Sequence, residues 1–243
     1  MIATTQYTCK LATTAQDIEA AQELRFQVFN MEMDKGFDHS YLTHLDQDRY
    51  DPICSHLVVR DLETGKVVGT YRLQTGTTAE QHLGYYSEQE FDFQTFEPLR
   101  HKILELGRAC IHQDHRNLSV LNLLWKQIAQ FAKSNQLRFL IGCSSLTSQD
   151  PNYGLRAFEL LSRSHLAHPS LQTRPKPSFE CVANEYFYPQ TPIKIPKLLR
   201  AYLSLGAKVC GPPAIDQGFK TIDFLTIMDL HSLAPRVWRR YLS

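Results

Sequence analysis

The sequence holds six cysteines (Cys9, Cys54, Cys110, Cys143, Cys181 and Cys210) and no Cys-x-x-Cys pair. Thiols scattered in apolar settings argue against a zinc cluster or a disulfide framework, and read as small buried residues of a reducing compartment. No apolar run is long enough to cross a bilayer. The start "MIATTQYTCKLATTAQD" lacks a basic segment leading into an apolar one, so no signal peptide is expected and the protein is expected to be cytoplasmic. Gly-x-Ser-x-Gly is missing too, and Ser144 and Ser145 in "IGCSSL" read as the end of a strand and not as nucleophiles. No basic run interleaved with aromatics occurs, which sets nucleic acid aside as a partner.

What is present is an ordinary globular composition, 43% hydrophobic and 21% charged over 243 residues. One domain spanning residues 1–243 is expected, long enough to bury a core without staples. The net charge of +1 hides an asymmetry: through Pro98 there are 7 basic against 16 acidic residues, and beyond it 19 against 9. Opposite halves can attract each other within one fold, or the basic half can dock an acidic partner.

Periodicity divides the chain into alternating elements. A strand is expected at Tyr7 to Leu11, then a helix from Asp17, as cap, with Ile18, Ala21, Leu24, Val28 and Met31 at helical spacing. Asp34 to Pro52 reads as a long acidic loop of the kind that carries function. Ser55 to Arg60 and Val67 to Gln74 form a hairpin around "ETGK". A short helix fits "GYYSEQEFDF". Beyond it come a strand at Lys102 to His112, a helix at Leu118 to Asn135, a buried strand at "RFLIGCSSL" and a helix at "NYGLRAFELLSRSH". Six prolines between His168 and Pro196 mark a loop, whose apolar Tyr186, Phe187 and Tyr188 argue against a bare linker. "KLLRAYLSLGAKVCG" is a helix entering a strand and "TIDFLTIMDL" a further strand. "PRVWRRYL" suits a short amphipathic helix, able to dock on the domain or to touch a membrane surface through Trp238 and Leu242 with Arg236, Arg239 and Arg240 at the head groups.

The segment "LELGRACIHQDHR", Leu104 to Arg116, is the anomaly. It is an apolar strand with Glu105 and Arg108 inside it, followed by a polar turn and an amphipathic helix. An offset of three places the two charges on opposite faces unless a bulge intervenes.

A mixed central sheet flanked by helices, with a strand, turn and helix at its centre, resembles the GNAT (acyl-CoA N-acyltransferase) fold, an α/β class. In such folds the turn aims backbone N–H groups at the pyrophosphate of coenzyme A with the help of the helix dipole. That turn is ordinarily glycine-rich, whereas "DHRNLS" keeps Arg116 and has no glycine. The motifs "ELRFQVF", "LDQDRYD", "GTYRL" and "ELGR" follow in the order of the acyl-homoserine lactone synthases, GNAT-fold enzymes fed by acyl carrier protein. "YDPICSHLVVRDLETGKVVGTYRL", "YYSEQEFDF", "ELGRACIHQDHR" and "LLRAYLSLGAKVCGPPAID" followed by "DFLTIMDL" are similar to the ornithine lipid N-acyltransferases, once labelled hemolysins, over nearly the whole chain.

The resemblance implies transfer of a long, often 3-hydroxylated acyl chain from acyl carrier protein to the α-amino group of an amino acid, ornithine first. The carrier thioester serves as co-substrate, with acyl-coenzyme A the alternative donor and no bound cofactor or metal. It carries Arg25, Phe29, Asp46, Asp48 and Arg72 over as amino acid-binding residues, and Glu105 and Arg108 as catalytic ones. An amine attacks a thioester only when neutral, so the site must relay a proton and hold an oxyanion. Glu105 suits the first task. The alternative for the Arg and Asp residues is an ion-pair network that shapes the fold and binds nothing. Arg116, Lys126 and Lys133, with Arg100, Lys102 and Arg138, cluster in sequence around the turn and are expected to suit the acidic carrier. A signal synthase or N-acyl amino acid synthase is the neighbouring reading, and a membrane-active binding protein the non-enzymatic one. His56 and Asp61 satisfy a His-x-x-x-x-Asp pattern, but an offset of five on a strand separates their faces.

Overall fold

The structure, a computed structural model, describes residues 1–183 and 192–234. The expectations for Tyr186, Phe187, Tyr188, Trp238, Leu242, Arg236, Arg239 and Arg240 lie outside the described residues. No described helix is long and apolar enough to cross a membrane.

Nine strands form one sheet, in the order β1-β2-β3-β4-β5-β6-β9-β7 with β8 paired to β9. These are β1 (Ile2–Ala3), β2 (Tyr7–Leu11), β3 (Ser55–Asp61), β4 (Val67–Thr75), β5 (Ile103–Ile111), β6 (Phe139–Leu146), β7 (Lys208–Val209), β8 (Ala214–Asp216) and β9 (Thr221–Asp229). The helices are α1 (Ala15–Phe26), α2 (Ser40–Thr43), α3 (Gly76–Gln81), α4 (Leu118–Ser134), α5 (Pro151–His165) and α6 (Lys197–Leu205). All strand pairs are antiparallel except β5 and β6, which the α4 crossover joins in parallel.

The expected elements are present within a residue or two, α3 is an additional helix, and three further differences stand out. Asp17 is not the cap of α1: Thr14 takes that place by accepting the Asp17 N–H at 3.1 Å, which frees the Asp17 carboxylate for Lys10 and Arg60, each at 2.8 Å. The expected long first helix ends at Phe26 and widens into a π-helical segment, Gln27–Glu32, of the kind that recurs at functional sites. The loop beyond it holds α2, and β1 and β8 are added at the sheet margins, too short to carry a periodic signal.

Side-chain alternation divides the two faces of the sheet. On β4, Tyr71 and Leu73 join the core beneath α4, while Arg72 between them reaches the α1 face and the carboxylates there. Asn117 caps α4 by accepting the Val120 N–H at 3.0 Å, and Val120, Leu124, Trp125 and Ile128 fill that core. The opposed charges of the two chain halves meet inside the fold: Arg108 reaches Asp46 and Asp48, Arg116 reaches Glu32, Arg100 reaches Glu88 and Lys220 reaches Asp38.

Two irregularities of β5 create the site. Against β4, Thr70 pairs with Cys110 and Arg72 with Gly107, so two steps on β4 oppose three on β5, and Arg108 in this bulge takes φ 49°. A positive φ on a non-glycine residue is strained and marks a place that the surroundings must hold. On its other edge β5 stays with β6 only through Glu105 and Ile141, after which the strands part. Gly142 sits at the parting, where a Cβ would lie 2.3 Å from the Leu106 carbonyl oxygen.

Candidate active site

Where β5 and β6 separate, a cavity of about 830 Å³ opens, within the range of small-molecule sites. Phe29, Leu106, Leu121, Trp125, Tyr202 and Met228 are among the apolar residues on its walls, and Arg72, Glu105 and Arg108 give it a charged end.

Behind that end lies a closed ionic network. Arg25 places Nε 2.8 Å from Asp46 and Nη2 2.6 Å from Asp51. Arg72 donates through Nη1 to Asp48 at 2.6 Å and Asp51 at 3.0 Å. Arg108 donates to Asp48 at 2.8 Å and lies 3.3 Å from Asp46. Burial alone would raise the Asp48 and Asp51 carboxyls; the guanidiniums of Arg72 and Arg108, and of Arg25 and Arg72, outweigh it and hold both below the usual range. Asp51 bridges Arg25 and Arg72 yet was not among the expected site residues. It closes the motif "LDQDRYD", and its distance of three from Asp48 was the available signal.

The bulge brings Arg108 to the cavity wall beside Glu105, with its guanidinium carbon 4.5 Å from the Phe219 ring centre, 4.8 Å from Tyr86 and 5.1 Å from Phe37. Phe29, on the π-helical segment, also lines the cavity and packs edge-on against Phe219. Arg25 and Asp46 are wholly buried and do not reach the cavity, and Asp48 stands behind Arg72 and Arg108.

Glu105 accepts at Oε2 from the Tyr86 N–H at 2.7 Å, and at Oε1 from the Ser87 N–H at 2.9 Å and the Ser87 hydroxyl. It thereby anchors the turn Tyr86–Gln89, the piece of "GYYSEQEFDF" that is helical. Burial raises its carboxyl above the usual range despite these bonds and the charge of Arg72. A carboxylate offers about four acceptor positions, and three are taken.

Arg116 stands at the cavity mouth in a bidentate pair with Glu32, both contacts at 2.6 Å. Lys126 and Lys133 are exposed on α4 and Lys102 is exposed before β5. Arg100 is engaged by Glu88 and Glu97, and Arg138 by Asp229. His56 is buried, its Nε2 2.9 Å from the Asp51 carbonyl oxygen, while Asp61 accepts from Glu63 and Thr64 in the hairpin turn, so the two act apart.

Residues 24–126 match the acetyltransferase (GNAT) domain family. The chain is 30% identical over 241 residues to the L-ornithine N(alpha)-acyltransferase of Rhodobacter capsulatus, covering 95% of this chain and 92% of that one. It is 31% identical over 247 residues to the enzyme of the same name from Brucella abortus, covering 96% and 86%. Among solved structures, its fold is similar to FeeM, an N-acyl amino acid synthase from uncultured soil microbes, with a TM-score of 0.56 at 9% identity over 97% of this chain and 94% of that one. The AHL synthase LasI gives a TM-score of 0.53 at 14% identity over the same shares, 97% and 94%. This chain is a GNAT-fold acyltransferase and belongs to the L-ornithine N(alpha)-acyltransferase family.

Proposed function

We propose that this acyltransferase moves a long acyl chain from an acyl carrier protein thioester to the α-amino group of ornithine by direct attack of the amine. The observation that carries the reading is the cavity itself, a largely apolar space of about 830 Å³ whose walls include Glu105, Arg72 and Arg108. The apolar walls suit the acyl chain, and removing its methylenes from water favours binding by about 0.8 kcal/mol each. The thioester then lies at the parting of β5 and β6, where the edge of β5 that β6 has left presents backbone to the gap.

The neutral amine forms a C–N bond to the thioester carbon and the carbonyl oxygen takes the negative charge. Glu105 receives a proton from the attacking nitrogen at its remaining acceptor position, directly or through one water. Collapse breaks the C–S bond, and the same proton passes to the leaving thiolate. Arg108 and the β5 backbone stabilise the oxyanion. Arg25, Asp46, Asp48 and Asp51 hold Arg72 and Arg108 in place, which merges the two earlier readings of the network: it shapes the fold and, through its two cavity-facing arginines, orders the acceptor.

Two features support the carrier protein over coenzyme A as donor. The turn before α4 has no glycine, and the Asn117 side chain already occupies the Val120 N–H, a donor a pyrophosphate would want. Lys126 is exposed on α4, the helix that follows Arg116, where an acidic partner can meet it. Incubation with long-chain acyl carrier protein or acyl-coenzyme A and single amino acids, read by mass spectrometry, tests the reading. N-acyl ornithine from the carrier thioester is expected; absence of any N-acyl amino acid with either donor sinks it.

A further inference from the structure

Three carboxylates that this chemistry does not use meet beyond Tyr86. Glu90 follows the Tyr86–Gln89 turn, Asp216 ends β8 and Asp223 lies on β9 opposite Ser145. Glu90 is 1% exposed and Asp223 3%, and Glu90 Oε1 and Asp223 Oδ1 have no hydrogen-bond partner. Ligand atoms of Glu90, Asp223 and Cys143 all lie within 4.8 Å of one another. Cys143, Ser144, Ser145, Asp223 and Tyr86 belong to the cavity wall, and Glu90 lies against Cys143 and Asp223, so the cluster adjoins the acyl-transfer site.

Two positive charges act on the recess, Lys35 on Asp223 and Arg108 on Glu90, but neither forms an ion pair with it. Among the described residues no lysine or arginine forms an ion pair with Glu90, Asp216 or Asp223. Arg108 is committed to Asp46 and Asp48, and Lys35 lies over the rings of Phe29 and Phe219. An unpaired buried polar oxygen costs free energy, more when it is charged, so two in one cluster call for an occupant. Burial, then the charges of Asp223, Asp216 and Glu105, push Glu90 well above the usual carboxyl range; burial and Asp216 push Asp223 up to about 6. Such a pair holds a proton until a better cation displaces it.

We propose that Glu90 and Asp223, with Asp216 beside them, bind the side-chain ammonium of a basic amino acid acceptor, and thereby select it over neutral amino acids. The proposal rests on the reading of the chain as an amino acid N-acyltransferase. An ammonium can sit between two carboxylate oxygens up to about 5.5 Å apart, twice a charge-assisted N–H···O distance, and the 4.8 Å cluster satisfies that span. The reach is also right. Tyr86 binds Glu105 through its backbone N–H and lies 3.4 Å from Asp216 through its hydroxyl, so one tyrosine residue spans the two sites. A three-methylene side chain is of comparable length. With its δ-ammonium in the recess, ornithine leaves its α-amino group beside Glu105. A hard divalent cation suits the recess less, since such ions want six or more oxygen ligands and this one offers a thiol and few carboxylates.

The test compares ornithine with norvaline, which has the same carbon chain and no side-chain ammonium, as acceptors for wild type, Glu90→Gln and Asp223→Asn. Wild type is expected to favour ornithine in kcat/KM by roughly 10²-fold or more, since a site built around a polar group rejects an analogue lacking it. Each variant is expected to cut that ratio about tenfold or more. Calorimetry of wild type with each amino acid gives a readout free of turnover and of variant folding: ornithine binds and norvaline does not. Wild type acylating norvaline as well as ornithine overturns the recess while leaving N-acyl transfer intact, as does an equal loss on both acceptors in both variants. A chelator-sensitive ornithine preference restored by a divalent cation assigns the recess to a metal and overturns it too. No N-acyl product with any amino acid removes the parent reading and the recess with it.

Discussion

The ionic network and the acidic recess are both buried, both built from carboxylates, and only a tyrosine apart, yet they are opposite in kind. In the network three arginines meet three aspartates, so every charge lies against one of opposite sign, although both Asp46 oxygens, Arg25 Nε and Nη1 and Arg108 Nε make no hydrogen bond. In the recess carboxylates meet carboxylates, and two oxygens are left without partners. A buried charge with its counter-ion built in serves position; one without it is a place for something that arrives later. Glu105 lies between the two, close enough to feel Arg72 on one side and to raise Glu90 on the other.

The comparison breaks most visibly at Asp51. Asp51→Ala leaves Arg25 and Arg72 short of a shared buried counter-ion, and a loss of about 3–5 kcal/mol is expected in urea unfolding. A loss below 1 kcal/mol would show that the network is not what holds its own charges. Glu105→Gln comes next: it keeps the shape, removes the proton acceptor and sets an NH₂ against the N–H groups of the turn. A fall of roughly 10²–10³ in kcat is expected, read by product formation from long-chain acyl carrier protein. Retention of half the wild-type rate would remove Glu105 from the chemistry.

The pH dependence should run in opposite directions in the two regions. Asp51 is held low in the folded chain, so its contribution is present above the unfolded value of 3.8 and is lost as pH falls below it. Asp223 is held high, so its contribution is present below 3.8 and is lost as pH rises through about 6. Without acceptor bound, Asp223→Asn is therefore expected to be more stable than wild type at pH 7.5 by on the order of 1–3 kcal/mol, with the gain gone near pH 4. Thermal unfolding across that window checks it; a gain independent of pH contradicts the recess as an uncompensated acid cluster. The smallest effects belong to the surface. Lys126→Glu and Lys133→Glu are expected to raise KM for the acyl carrier protein by roughly two- to tenfold, with the difference shrinking as salt increases. Unchanged steady-state kinetics at low salt would remove α4 from the docking face.

Glu105 and Arg108 were legible because a charge inside an apolar strand needs a reason. The same signal was available at Asp223 in "TIDFLTIMDL" and at Glu90 in "SEQEFDF", but each looks like an isolated acid in one dimension. Only the pairing of β9 with β6, and the turn anchored by Glu105, bring them within reach of each other. Asp51 was missed for a similar cause: its place in "LDQDRYD" marks it as one more acid of the loop, but its arginine partners are 26 and 21 residues away.

The sequence by itself determined the alternation of strands and helices, the central charged strand and the set of residues that carry the family likeness, because periodicity, caps and turn residues act within a few positions. Tertiary structure alone decided which charges are partners. Whether Arg108 faces the cavity depends on one extra residue in β5, and whether an acid is matched or left wanting depends on what the sheet places opposite it. Those are facts of distance in space, and electrostatic energy follows spatial distance, not separation along the chain.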